Sequence, residues 1–110
     1  MRRGYAGPLP VTVTGIDLTD YSIYLTIKSR GREITKTGAD LSVAYDEGVT
    51  AIVFNITQQE SLSLTDGTAK VQVRYVSADG SADATVEGTL NVLPILKEGV
   101  LPYTGGYSDD

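Results

Sequence analysis

The sequence predicts an all-β protein: an immunoglobulin-like antiparallel β-sandwich of about seven strands with one short helical turn. Two observations carry this expectation. About six or seven short apolar/polar alternations follow one another at close spacing with turn residues between them, a rhythm that suits a sandwich better than any α/β arrangement. The stretch 69–92 also defines two strands and their connecting turn by itself. Val71, Val73 and Tyr75 alternate with Lys70, Gln72 and Arg74. After Asp79-Gly80-Ser81, Ala84, Val86, Leu90 and Val92 alternate with Thr85, Glu87, Thr89 and Asn91. This is the pattern of a hairpin with one wet face.

Earlier in the chain, Val11 to Thr14 can form a short strand ended by Gly15, and Pro8 and Pro10 make its start an edge. From Tyr21 to Lys28, Ile23, Leu25 and Ile27 alternate with Tyr24, Thr26 and Lys28, and the β-branched and aromatic content favours a strand. Arg30-Gly31-Arg32 supplies a turn, Glu33 to Thr37 returns antiparallel, and Gly38-Ala39-Asp40 makes the next corner. Leu41, Val43 and Tyr45 then alternate with Ser42 and Ala44. Asp46-Glu47-Gly48 turns the chain into a strand from Thr50 to Ile56, where Phe54, the sole phenylalanine, is the expected core anchor. Thr57-Gln58-Gln59-Glu60 matches a capping box, so one short helical turn is expected there, closed by Asp66-Gly67. Residues 1–10 are expected to form a flexible N-terminal arm, 11–100 the sandwich, and 101–110 a flexible tail with little apolar surface to order it.

Composition excludes much chemistry. A chain of 110 residues fits one domain with one core, of ordinary globular composition. It has no cysteine, which removes disulfides, thiolate metal sites and thiol nucleophiles. It has no histidine, the usual general base near neutral pH and the commonest metal ligand. Nine basic residues against fourteen acidic ones leave a net charge of −5, which argues against a nucleic-acid partner. The opening Met1-Arg2-Arg3-Gly4 lacks the apolar run of a secretory signal. The longest nearly apolar stretch, Val92 to Leu96, is far shorter than the roughly 20 residues that span a bilayer, so no membrane association is expected.

Several motifs have a bland reading that outweighs the functional one. Leu101-Pro102-Tyr103-Thr104-Gly105 matches the LPxTG pattern of sortase substrates, but the apolar segment and basic tail that normally follow are missing, so a coincidental match is expected. Asp79 with Asp83, and Asp17 with Asp20, lack the ligand count of a calcium loop and read as turn residues; no metal or other cofactor is expected. The carboxylates fall mainly in turns or on wet strand faces, with no apolar pocket to raise one pKa as a glycosidase needs, so no enzymatic activity is expected. Asn55-Ile56-Thr57 fits a glycosylation sequon, which has no weight without an export signal.

Seven tyrosines accompany the one phenylalanine and no tryptophan. Tyr45 and Tyr75 share a face with core residues, whereas Tyr24 points the other way and could stack on a sugar. Tyr5, Tyr103 and Tyr107 belong to the arms. The candidate protein-docking residues are therefore Arg2, Arg3 and Tyr5 in the N-terminal arm and Leu101, Tyr103 and Tyr107 in the tail.

The segments MRRG, ITKTGADLSVAYDEG, ITQQESLSL, VQVRYVSADGSADATVEGTLNV and PILKEGVL resemble small proteins encoded among the tail and baseplate genes of phages and prophages of Gram-positive gut bacteria. In plan, the chain is similar to the immunoglobulin-like N-terminal domain of lactococcal phage upper baseplate proteins, although it has no long helical or fibre region. The resemblance implies a non-enzymatic structural or assembly module of a virion, made in the bacterial host cytoplasm. Its implied partners are other virion proteins, with a homo-oligomer as a further expectation. A carbohydrate-binding or cell-surface adhesion domain is the alternative.

Overall fold

The computed structural model describes residues 1–85 and 87–105, and it is an antiparallel β-sandwich. One sheet contains β1 (Gly7–Thr14), β5 (Val49–Ile56) and β4 (Leu41–Asp46), in the order β1-β5-β4. The other runs β3 (Arg32–Thr37), β2 (Ser22–Ser29), β6 (Gly67–Val76), and then β7 (Ala82–Ala84) and β8 (Gly88–Val92), which both pair with β6. The described strands of the two sheets follow the order of the second to last strands of an immunoglobulin-type sandwich.

The hairpins follow from local chemistry. Arg30 and Gly31 join β2 to β3, and Glu47 and Gly48 join β4 to β5, each as a two-residue loop. All four residues have positive φ, which is the backbone twist that matches two antiparallel strands. The glycine in each pair adopts it without steric cost. The helix α1 (Gln58–Ser63) starts where the capping box predicts: Thr57 Oγ1 accepts from the Glu60 N–H at 3.1 Å, and the Glu60 carboxylate accepts from the Thr57 N–H at 2.9 Å.

Alternation along the strands puts Ile23, Leu25 and Ile27 of β2 against Ile52, Phe54 and Ile56 of β5, all buried in one core. Val73 and Ala69 of β6 and Val92 of β8 complete it, with Leu18 from the β1–β2 crossover and Leu64 from the end of α1 also fully enclosed. Phe54, 2% exposed, is the anchor its uniqueness suggested. Thr50 is the buried polar member. Its Oγ1 donates to the Ile16 carbonyl at 2.6 Å and accepts from the Leu18 N–H at 3.1 Å, which fastens the crossover to β5. Tyr75 is partly buried and meets Tyr21 edge to face, with ring centroids 5.3 Å apart.

Two expectations are corrected. The return strand of the last hairpin is not continuous but divides into β7 and β8. Arg74 pairs with Ala84 but Val71 pairs with Gly88, a register shift of one residue that marks a β-bulge. Thr85 holds it: its N–H donates to the Val73 carbonyl at 2.8 Å, and its Oγ1 accepts from the Val73 N–H at 3.1 Å. Directly paired residues share a face. Ala84, opposite Arg74, therefore lies on the other face from Leu90, opposite Ala69, and not beside it as strict alternation implied.

The second correction concerns the N-terminus. Residues 1–10 are not a free arm. Strand β1 begins at Gly7, and Pro8 and Pro10 fit within it because no described strand lies on its other side to need their missing N–H groups. Ahead of it, Arg2 bridges Leu93 in parallel, the Met1 ammonium donates to the Asn91 carbonyl at 2.8 Å, and the Leu93 N–H donates to the Met1 carbonyl at 2.8 Å. Backbone groups that would otherwise be unpaired at the end of β8 are satisfied in this way.

Candidate functional site: an open edge of the sandwich

The two sheets are bridged unequally along their sides. At one side the chain crosses from β3 to β4 through a 3₁₀ turn at Gly38–Asp40. At the other side the N-terminal residues cross at one end, pairing with 91–93 at the end of β8 before entering β1, and beyond them β1 and the stretch from β7 to Leu90 expose unpaired backbone edges among the described residues. Between these edges lies a groove of about 680 Å³. Leu9, Val11 and Val13 of β1 form one wall, and Val71 and Val73 of β6 with Leu90 of β8 form the other, with Ile27 and Phe54 reaching it from the core. Thr85, Gly88 and Thr89 lie along the bulged strand, and Ile16 closes one end. None of the described residues that line it carries a charge.

Such an arrangement can accept an extended peptide. Main-chain groups of the two edges offer hydrogen bonds to an added strand, and the apolar walls take alternate side chains. Pro8 and Pro10 have no N–H, so the pairing capacity of the β1 edge lies beyond Pro10.

Of the predicted docking residues, Arg3, Tyr5 and Leu101 meet at α1 or its end, but with different roles. Arg3 is consumed internally: Nε donates to the Leu64 carbonyl at 3.0 Å, Nη2 to the Leu62 carbonyl at 2.9 Å, and Nη1 pairs with the Glu98 carboxylate at 2.9 Å. Arg2 Nη1 donates to the Pro94 carbonyl at 3.1 Å. The Tyr5 hydroxyl donates to the Pro8 carbonyl at 2.7 Å, while its own carbonyl accepts from Ser61 Oγ at 2.8 Å. These three hold the fold together, and Arg3 spends four of its five N–H donors on the chain itself.

The C-terminal segment is different. Val100, Leu101 and Tyr103 are 57%, 53% and 89% exposed, and Leu96 is fully exposed. Beyond Glu98 the Gln58 side-chain amide clasps this segment: Nε2 donates to the Leu101 carbonyl at 2.9 Å, and Oε1 accepts from the Leu101 N–H at 2.6 Å. Tyr107 lies outside the described residues.

On the outer face of the β2–β6 sheet, Tyr24 is 44% exposed beside a shallow depression of about 450 Å³ lined with Thr26, Lys28, Glu33 and Arg74. The perturbed carboxyls lie elsewhere and act structurally. Burial opposes ionisation of Glu60, but the Lys36 ammonium at 2.8 Å and the Thr57 N–H outweigh it and hold the pKa below its ordinary value. Asp79 is held down to about 2 by the Ser77 hydroxyl and the Ser81 N–H, and Asp17 is lowered by the Thr19 hydroxyl and N–H. Each lies in a turn or cap, and their shifts reflect local hydrogen bonds. Among the described residues no acidic cluster is placed to hold a metal ion, and no helix is long and apolar enough to cross a membrane.

The groove was not visible in the sequence. Pro8 and Pro10 marked β1 as an edge, yet which strand would stand opposite, and how far away, depends on pairings between residues distant in the chain. The chain matches no protein-family model, and no curated protein is significantly similar to it.

Proposed function

We propose that this chain is a non-enzymatic assembly module acting through protein–protein contacts, in a phage or prophage virion of the tail or baseplate type. The observation that carries the protein-contact reading is the uncharged groove between two unpaired strand edges. Unpaired edges are templates for another chain, and a contiguous apolar surface marks a site of association. The setting rests on the resemblance of segments such as ITKTGADLSVAYDEG and VQVRYVSADGSADATVEGTLNV to small tail- and baseplate-region proteins.

The test is co-expression with the other structural proteins of the same particle, followed by mass spectrometry of purified particles. The chain should be present in them, and a substitution that fills the groove should reduce its incorporation. A chain absent from the particles refutes the virion setting, and incorporation indifferent to the groove refutes the docking surface.

One observation favours a second reading, glycan binding. Tyr24 displays its ring among hydroxyl and charged side chains, the mixture of apolar face and hydrogen-bonding groups that a sugar ring requires. Titration with sugars at millimolar concentration, compared with Tyr24→Ala, decides it: no binding by the native chain removes this reading.

A further inference from the structure

We propose that the groove between β1 and β7/β8 takes up the C-terminal segment Val100–Gly105 of a second copy of this chain as an added strand, so that copies join head to tail. This rests on the assembly reading above and names its partner.

Groove and segment fit in chemistry. The described lining has no charge, and Val100-Leu101-Pro102-Tyr103-Thr104-Gly105 has none either. This matters because each copy carries a net charge of −5, so contact between most other parts of two copies brings like charges together. An uncharged segment entering an uncharged groove buries no unpaired ion. The lengths also agree. Six extended residues span roughly 20 Å, as does the β1 wall from Leu9 to Thr14, with main-chain pairing to β1 confined to the part beyond Pro10.

The side chains of the segment are unspent. In its own copy it contributes no side chain to the core, and Val100, Leu101 and Tyr103 remain largely exposed. Gln58 binds both the N–H and the C=O of Leu101, as a neighbouring strand would, so docking in a second copy exchanges these two hydrogen bonds for main-chain ones. In a strand, Leu101 and Tyr103 share one face and would enter the groove, with Val100, Pro102 and Thr104 on the other. Groove and donor are different surfaces of the chain, so the contact is heterologous and propagates into a ring or an open row, as an assembly module requires.

The experiment is light scattering on the full chain across a concentration series, with two full-length variants. Gly88→Leu puts a bulky side chain at the groove wall from a backbone position that admits a Cβ. Gly88 does not have positive φ, and a Cβ there meets only the Val71 carbonyl oxygen, at 3.7 Å. The double variant Leu101→Asp, Tyr103→Asp charges the donor at exposed positions outside the core. The native chain should show a mean mass that at least roughly doubles with concentration, and each variant alone should stay monomeric. An equimolar mixture of the two should regain association and stop at the dimer, because one supplies the only working groove and the other the only working donor. A native chain monomeric throughout, or association that survives in both variants, overturns the proposal.

A labelled peptide of residues 99–105, titrated into the double variant, separates the two levels of the argument. Uptake of an unrelated uncharged strand-forming peptide but not of this one overturns the second-copy assignment and leaves the assembly reading standing. Uptake of neither overturns both. If the native monomer protects its own tail from proteolysis and Gly88→Leu abolishes that protection, the occupant is the same copy's tail, and the head-to-tail contact is refuted.

Discussion

Thr50→Val removes one hydroxyl from the middle of β5 and tests what anchors the β1–β2 crossover. The side chain is completely buried, and valine has nearly its shape, so packing is preserved while two hydrogen bonds disappear. The Ile16 carbonyl and the Leu18 N–H are left without their partner. An unsatisfied buried group costs about 1–3 kcal/mol, so the pair should cost about 2–4 kcal/mol, allowing for partial access of water to Ile16. Thr50→Ser is the control: it keeps the hydroxyl, loses one methyl, and should cost about 1 kcal/mol. For a chain of this length 1 kcal/mol corresponds to about 4 °C in Tm, so valine should lower Tm by roughly 8–16 °C and serine by about 4 °C. Differential scanning calorimetry reads both directly, with urea unfolding as a second measure. A valine variant as stable as the serine variant would refute the view that the hydroxyl anchors the crossover. Ile16 also lines the groove, so the valine variant should show faster amide exchange along residues 15–21.

Phe54→Ala should destabilise the fold by about 3–5 kcal/mol in chemical denaturation, since the ring is fully enclosed between the sheets. Glu60→Gln should cost about 1–2 kcal/mol at pH 7, by weakening the cap and the Lys36 pair. Because the folded pKa of Glu60 lies below its unfolded value, its stabilisation is complete above the unfolded pKa and fades as pH falls through the folded one. Glu60→Gln should therefore lose less stability than the native chain on acidification below about pH 5, and parallel losses would contradict this. Carboxyl NMR should find Asp79 titrating at about 2, and Ser77→Ala should move it upward. Arg3→Met should cost about 1–3 kcal/mol, since the Leu62 and Leu64 carbonyls lose their donor, and should speed proteolysis within 93–100 as Glu98 is released.

What the sequence determined by itself was local. Period-two alternation specified which residues of β2, β5 and β6 face the core, because a strand's faces follow from its own pleat. The capping box at Thr57–Glu60 and the glycines at 31 and 48 specified a helix start and two hairpins, because those conformations are settled within four residues. Tertiary structure decided everything that depends on residues far apart in the chain. The bulge that switches Ala84 to the other face is set by where β6 pairs with β7 and with β8, and the alternation of the strand alone gave no sign of it. Arg3 resembled a free basic arm until the carbonyls of Leu62 and Leu64, some sixty residues away, were placed beside it. The groove is the clearest case. Its apolar residues look like ordinary core positions in the sequence, and they form an opening only because β1 and β7/β8 are edge strands of different sheets, joined at one end alone by the N-terminal residues.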